Sequence, residues 1–97
     1  MLGTVHYMSP EQVAGEPLDG RSDLYALGVV GFQLLSARLP FEGDVASAIL
    51  VAHATRLAPS LASIAPGVPR QVAAVVDACL AKAPEDRPPP ARRWPTR

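Results

Sequence analysis

Eleven prolines stand among 97 residues, and their placement governs what this chain can fold into. Each removes a backbone N–H and clashes with the carbonyl one helical turn back, so helix is confined to the intervals between them. The most apolar interval runs from residue 23 to residue 38. It carries Leu24, Tyr25, Leu27, Val29, Val30, Phe32, Leu34 and Leu35, which cover every face of a helix. A helix apolar all round belongs in the middle of something. The cluster Asp19-Gly20-Arg21-Ser22-Asp23 ahead of it reads as a turn with capping residues, and Pro40 stops it. Beyond Gly43-Asp44, Val45, Ala48, Ile49 and Ala52 give a weaker amphipathic helix that ends before Pro59. Residues 58–67 read as proline-punctuated linker. Pro69 then sits at a first helical position, and Val72, Val75, Val76, Cys79 and Leu80 follow at the spacing of one buried helical stripe. Near the start, Ser9 and Pro10 open a short helix as cap and first residue. The remaining prolines, at 84, 88–90 and 95, leave residues 89–97 as an extended or disordered basic tail. No repeat and no alternation long enough for a sheet is present, so the chain reads as all-α.

The core of such a chain is thin. Leu, Ile, Val and Phe make up about 26% of it, above the roughly 20% below which disorder is the default. A formal net charge of +0 removes the summed basic field that nucleic-acid and membrane-surface binders depend on. The local exception is Arg87, Arg92, Arg93 and Arg97, a cluster without acids that leaves an arginine-tail nucleic-acid binder as a poor third option. One cysteine, Cys79, supports neither an internal disulfide nor a cysteine zinc site, and a reducing cytoplasm is the expected compartment. The start of the chain lacks a signal-peptide layout, and the apolar block from Leu24 through Leu35 is too short for the ~18 residues a membrane span needs.

Local chemistry is sparse. The seven glycines never occur as G-x-G or as G-x-x-x-x-G-K, so no nucleotide site is recognisable. His6 and His53 stand without metal-ligand patterning and read as surface or packing residues. Cys79 falls on an apolar stripe and reads as a core residue, and no serine has the surroundings of a hydrolase nucleophile.

Three stretches are informative together: Gly3-Thr4-Val5-His6-Tyr7-Met8-Ser9-Pro10-Glu11-Gln12, then Arg21-Ser22-Asp23-Leu24-Tyr25-Ala26-Leu27-Gly28, and later Pro84-Glu85-Asp86-Arg87-Pro88. In this order and at these separations they resemble the C-terminal lobe of a serine/threonine protein kinase, most like the bacterial eukaryotic-type kinases. The resemblance runs from about residue 3 to residue 88. It implies a partial kinase C-lobe over residues 1–88: a substrate loop, a buried central helix and two further helices, followed by the proline-rich tail. It also implies that Gly3, Thr4 and Tyr7 position the substrate. Thr4 matches the threonine that favours Ser or Thr as phosphate acceptor. Ser9, Pro10 and Glu11 take the place of the A-P-E motif. Glu11 and Arg87 match a buried ion pair that ties the activation segment to the helical lobe, Asp23 an aspartate that accepts backbone hydrogen bonds from the catalytic loop, and Gly28 a glycine that permits close backbone approach. Tyr25 stands where tryptophan is usual.

Phosphoryl transfer needs a glycine-rich loop, a lysine on the phosphates, a catalytic-loop aspartate and metal-binding Asp and Asn. This sequence has no H-R-D and no D-F-G, and its one lysine is Lys82. The expectation is therefore a kinase fragment, cut at both ends and inactive alone, with no cofactor or metal of its own. The parent would use ATP and Mg and act on a protein substrate. The missing N-terminal kinase portion is the expected partner, with no nucleic acid and no membrane span. The alternative is a non-catalytic, pseudokinase-like interaction module.

Overall fold

The computed structural model describes residues 5–88, all helix, turn and loop, with no strand among them. Helix α1, Pro10–Ala14, begins where the sequence places it: Ser9 Oγ accepts from the Gln12 amide at 3.2 Å and the Ser9 amide donates to Gln12 Oε1 at 2.9 Å. This reciprocal box and a first-turn proline specify a start that propensity alone would leave loose. Gly15 closes it in the left-handed region, φ 73°.

The central helix α2 spans Gly20–Ser36. It starts earlier than residue 23 because Asp19, not Asp23, is the cap: its Oδ1 accepts from the Arg21 amide at 2.8 Å. Asp23 lies in the first turn, exposed, where a carboxylate complements the helix dipole. Helices α3 (Ala46–Thr55), α4 (Leu61–Ile64) and α5 (Arg70–Cys79) follow, then a 3₁₀ turn at Pro84–Asp86.

The core gathers Tyr25, Val29 and Phe32 of α2, Leu61 of α4, and Ala73, Val76 and Leu80 of α5 and its end. Two expectations are corrected here. Residues 58–67 are not linker: they contain α4, and Leu61 is fully buried because its amide donates to Asp77 Oδ1 of α5 at 3.1 Å while its side chain enters the core. The stripe on α5 is also turned. Ala73, Val76, Cys79 and Leu80 are buried, whereas Val72 and Val75 are exposed. Ala73, Val76 and Leu80 share the helix face turned to α2 and α4, and Val72 and Val75 each sit one residue off that face, about 100° around the helix.

Gly28 shows how close that approach is. A Cβ built there would lie 2.7 Å from Cys79 Cβ, whereas one at Gly31 would lie 3.4 Å from Val76 Cγ2. Gly28→Ala is therefore expected to destabilise by about 1–3 kcal/mol, since two helices must part. Gly31→Ala should be neutral or stabilising by up to about 1 kcal/mol through helix propensity. Urea midpoints of the two variants check this, and equal shifts would contradict the close seam.

The other side of α2 is bare. Leu27 is 63% exposed and Leu34 79%, with Val30 and Leu35 also open. The helix is thus central in composition but covered on one side only among the described residues.

Candidate functional site

The constellation is assembled from both ends of the described chain. Glu11 on α1 is buried, and Ser22 Oγ donates to its Oε2 at 2.6 Å. Arg87, also buried, grips both carboxylate oxygens: one terminal nitrogen donates to Oε2 at 2.7 Å and the other to Oε1 at 2.9 Å. The same guanidinium donates to the carbonyls of Arg21 at 2.9 Å, Lys82 at 3.2 Å and, through Nε, Ala81 at 2.8 Å. Each of its N–H groups thus has an acceptor, and its Cζ lies 5.0 Å from the Tyr25 ring centroid. A buried charge is tolerable only when satisfied in this way. No buried side-chain polar atom among the described residues lacks a partner.

Burial by itself would raise the Glu11 pKa, but hydrogen bonds from Arg87 and Ser22 and the arginine charge outweigh it and bring it to about 2. The adjoining imidazole, His53, is fully enclosed. Burial pushes it down to about 4, helped by the Lys82 charge and opposed by hydrogen bonding to loop carbonyls. Both folded values lie below the ordinary ones of 4.5 and 6.5, so in each case the unfolded chain binds the proton first. Stability is then expected to be full above pH 6.5, to fall toward pH 4 as unfolded His53 charges, and to fall again between 4.5 and 2 as unfolded Glu11 neutralises. Urea midpoints across this range test it. A profile flat through both windows would contradict the two assignments.

In front of the ion pair runs loop 5–9. Tyr7 Oη donates to Gln33 Oε1 of α2 at 2.7 Å, and the His6 carbonyl lies 3.0 Å from His53 Nε2. Tyr7, Asp23, Ala26, Leu27 and Val30 line an open, largely apolar cleft of about 400 Å³ beside this loop. The structure therefore brings together Tyr7 and Asp23 at the cleft and Ser9, Pro10, Glu11 and Arg87 at the anchor. Gly28 sits apart, at the α2–α5 seam. Gly3 and Thr4 lie outside the described residues, as does the tail at 89–97.

Sequence reasoning missed Ser22, Gln33 and His53. None belongs to a spacing pattern; each is identified only by what it touches across the fold. Lys82 was noted for its singularity, yet its role is structural: Nζ donates to the Ala52 carbonyl at 3.3 Å and lies 4.5 Å from the Phe41 ring centroid. Among the described residues no group of three or more His, Cys, Asp or Glu could hold a metal ion. No described helix is long and apolar enough to cross a membrane.

Comparison with known proteins follows the same lines. Residues 1–93 match the family described as protein kinase domain. The chain is 49% identical over 87 residues to serine/threonine-protein kinase Pkn1 of Myxococcus xanthus and 42% identical over 87 residues to serine/threonine-protein kinase PrkC of Bacillus subtilis. In each case the match covers 90% of this chain and 13% of the relative, so the chain spans about an eighth of their length. Among solved structures, the twitchin kinase region from C. elegans superposes with a TM-score of 0.80 over 90% of this chain and 15% of that one, at 24% identity, which speaks to fold alone.

Proposed function

This chain belongs to the protein kinase domain family, and from that premise we propose that it forms the substrate-loop end and helical base of a bacterial-type serine/threonine kinase C-lobe. The complete kinase transfers the γ-phosphate of ATP to a Ser or Thr of a cytoplasmic protein substrate. The chain itself supplies no ATP site, no Mg ligands and no catalytic-loop base, and does not transfer phosphate alone. Its contribution is positional: Gly3, Thr4 and Tyr7 belong to the stretch that receives the acceptor segment, and Ser9-Pro10-Glu11 fixes where that stretch ends. The observation that carries this reading is the fully satisfied Arg87–Glu11 pair, which locks the loop's helix to the lobe across 76 positions. Phosphoryl transfer is mostly positioning and electrostatics, so a rigid acceptor platform is a separable part of the machinery.

The bare side of α2 supports a second reading, a non-catalytic module that docks on another protein through Leu27, Val30 and Leu34. One experiment separates the two. The chain is co-expressed with the portion of a bacterial relative that carries H-R-D and D-F-G, and phosphate transfer to a Thr peptide is measured. Transfer that requires both pieces supports the kinase base. Binding between the pieces without transfer favours the module. The chain alone is expected to show no heat with Mg–ATP, and one-site binding at micromolar affinity would refute the assignment.

A further inference from the structure

We infer that His53 is a positioning residue for the substrate loop, holding the 6–7 peptide by an Nε2–H bond to the His6 carbonyl while its other nitrogen is fixed by Tyr25. The identity of that loop as the acceptor platform rests on the reading above; the tether itself is geometric.

Among the described residues, a backbone bond within the loop runs from the Met8 amide to the Val5 carbonyl at 3.4 Å, past the usual range. Two side chains reach the loop from elsewhere in the fold: Gln33, which accepts from Tyr7, and His53. Of these, His53 reaches main chain, so it fixes the loop's path and not merely one side chain.

The imidazole is held on all sides. It is 0% exposed, and the rings of Tyr25 and Phe41 meet it edge-on at centroid distances of 5.5 and 5.0 Å. Nδ1 lies 2.7 Å from the Tyr25 hydroxyl and Nε2 lies 3.0 Å from the His6 carbonyl oxygen. A carbonyl only accepts, so Nε2 carries the proton. The neutral ring then has its lone pair on Nδ1, and the Tyr25 hydroxyl donates to it. Burial keeps the ring neutral, and the cation facing it, Lys82, works in the same direction.

Shape alone does not require histidine here. Leucine would fill much of the space and leave both the His6 carbonyl and the Tyr25 hydroxyl without a partner. Only a ring with a donor at one edge and an acceptor at the other can join α3 to α2 and to the loop at once. The two nitrogens can be mimicked separately: a glutamine amide reaches the Nε2 position, whereas an asparagine amide reaches only the Nδ1 position.

The test uses the full chain. Nitrogen-15 imidazole spectra at pH 7 are expected to show neutral His53 in the Nε2–H tautomer with a slowly exchanging proton. An Nδ1–H tautomer or a charged ring overturns the inference, whether or not any variant folds. Hydrogen exchange is then followed at the amides of residues 6–8 and at Val76 and Leu80 as core references. His53→Asn and His53→Leu are expected to speed exchange at 6–8 by about tenfold relative to the core, the scale of one lost hydrogen bond. His53→Gln should return it to within about threefold of the parent. Equal loosening by Gln and Asn, or a change spread evenly over loop and core, would mean His53 is packing alone. Amide exchange needs neither ATP nor acceptor, so a failed tether and a failed kinase reading are told apart.

Discussion

Arg87→Ala should unfold this protein or bring it close to unfolding. Removing one member of a buried pair leaves the other uncompensated, at a cost of about 3–5 kcal/mol, against a total stability of roughly 5–15 kcal/mol for an ordinary domain. Here the loss is compounded. Glu11 keeps one partner, Ser22, while the carbonyls of Arg21, Ala81 and Lys82 lose a donor together. Arg70→Ala, on the exposed first turn of α5, is the matched control and should lie within about 0.5 kcal/mol of the parent. With a urea m-value of about 1–3 kcal/mol/M, the Arg87 variant should shift the midpoint by more than about 1 M, or show no folded baseline at all. Small, equal shifts in the two variants would mean the pair is not formed in solution.

The second large effect concerns the uncovered side of α2. Leu27 and Leu34 are more exposed than not, with Val30 and Leu35 beside them. Burying a leucine gains about 1.5–3 kcal/mol, so a second surface that covers two of them gains several. The chain on its own is therefore expected to bind hydrophobic dye and to self-associate. Leu27→Glu with Leu34→Glu should abolish dye binding and weaken self-association by at least about a hundredfold, since both residues are solvated in the monomer and neither enters the core. Sedimentation of the parent as a dye-free monomer with a sharp melt would show that this face is already covered.

Parts of this structure are legible in the sequence because they are enforced locally. Pro10 after Ser9 writes the start of α1, and Pro40, Pro59 and Pro84 set outer bounds that α2, α3 and α5 stop short of, at Ser36, Thr55 and Cys79. The ion pair was legible through a resemblance that aligned Glu11 with Arg87; their charges alone say nothing about contact. What failed was whatever depended on a neighbour's shape. Valine is more apolar than alanine, so Val72 and Val75 looked like the buried edge of α5, yet the face turned to the core is the one that carries Ala73, Val76 and Leu80. Leu61 sits among prolines that suggest linker, and only Asp77, sixteen residues on, gives its amide a partner and its segment a place. His53 had no motif because its partners are a tyrosine hydroxyl on one helix and a carbonyl on a loop 47 positions away.

Arg87 also divides the chain into positions that are free to drift and positions that are not. Three of its bonds end on main-chain oxygens, at Arg21, Ala81 and Lys82, and a main-chain oxygen is the same whatever side chain hangs beside it. Mutation can therefore change the side chains at Arg21 and Ala81 without touching the acceptors, as long as the backbone keeps its course, whereas the Lys82 side chain is held by its own bond to the Ala52 carbonyl. Position 87 has no such latitude. Lysine would bring one ammonium with three donors and no planar fork, and could not face a carboxylate and three diverging carbonyls together. A single guanidinium thus ties its corner of the fold to the course of the main chain and to one carboxylate, leaving the side chains at Arg21 and Ala81 outside the socket.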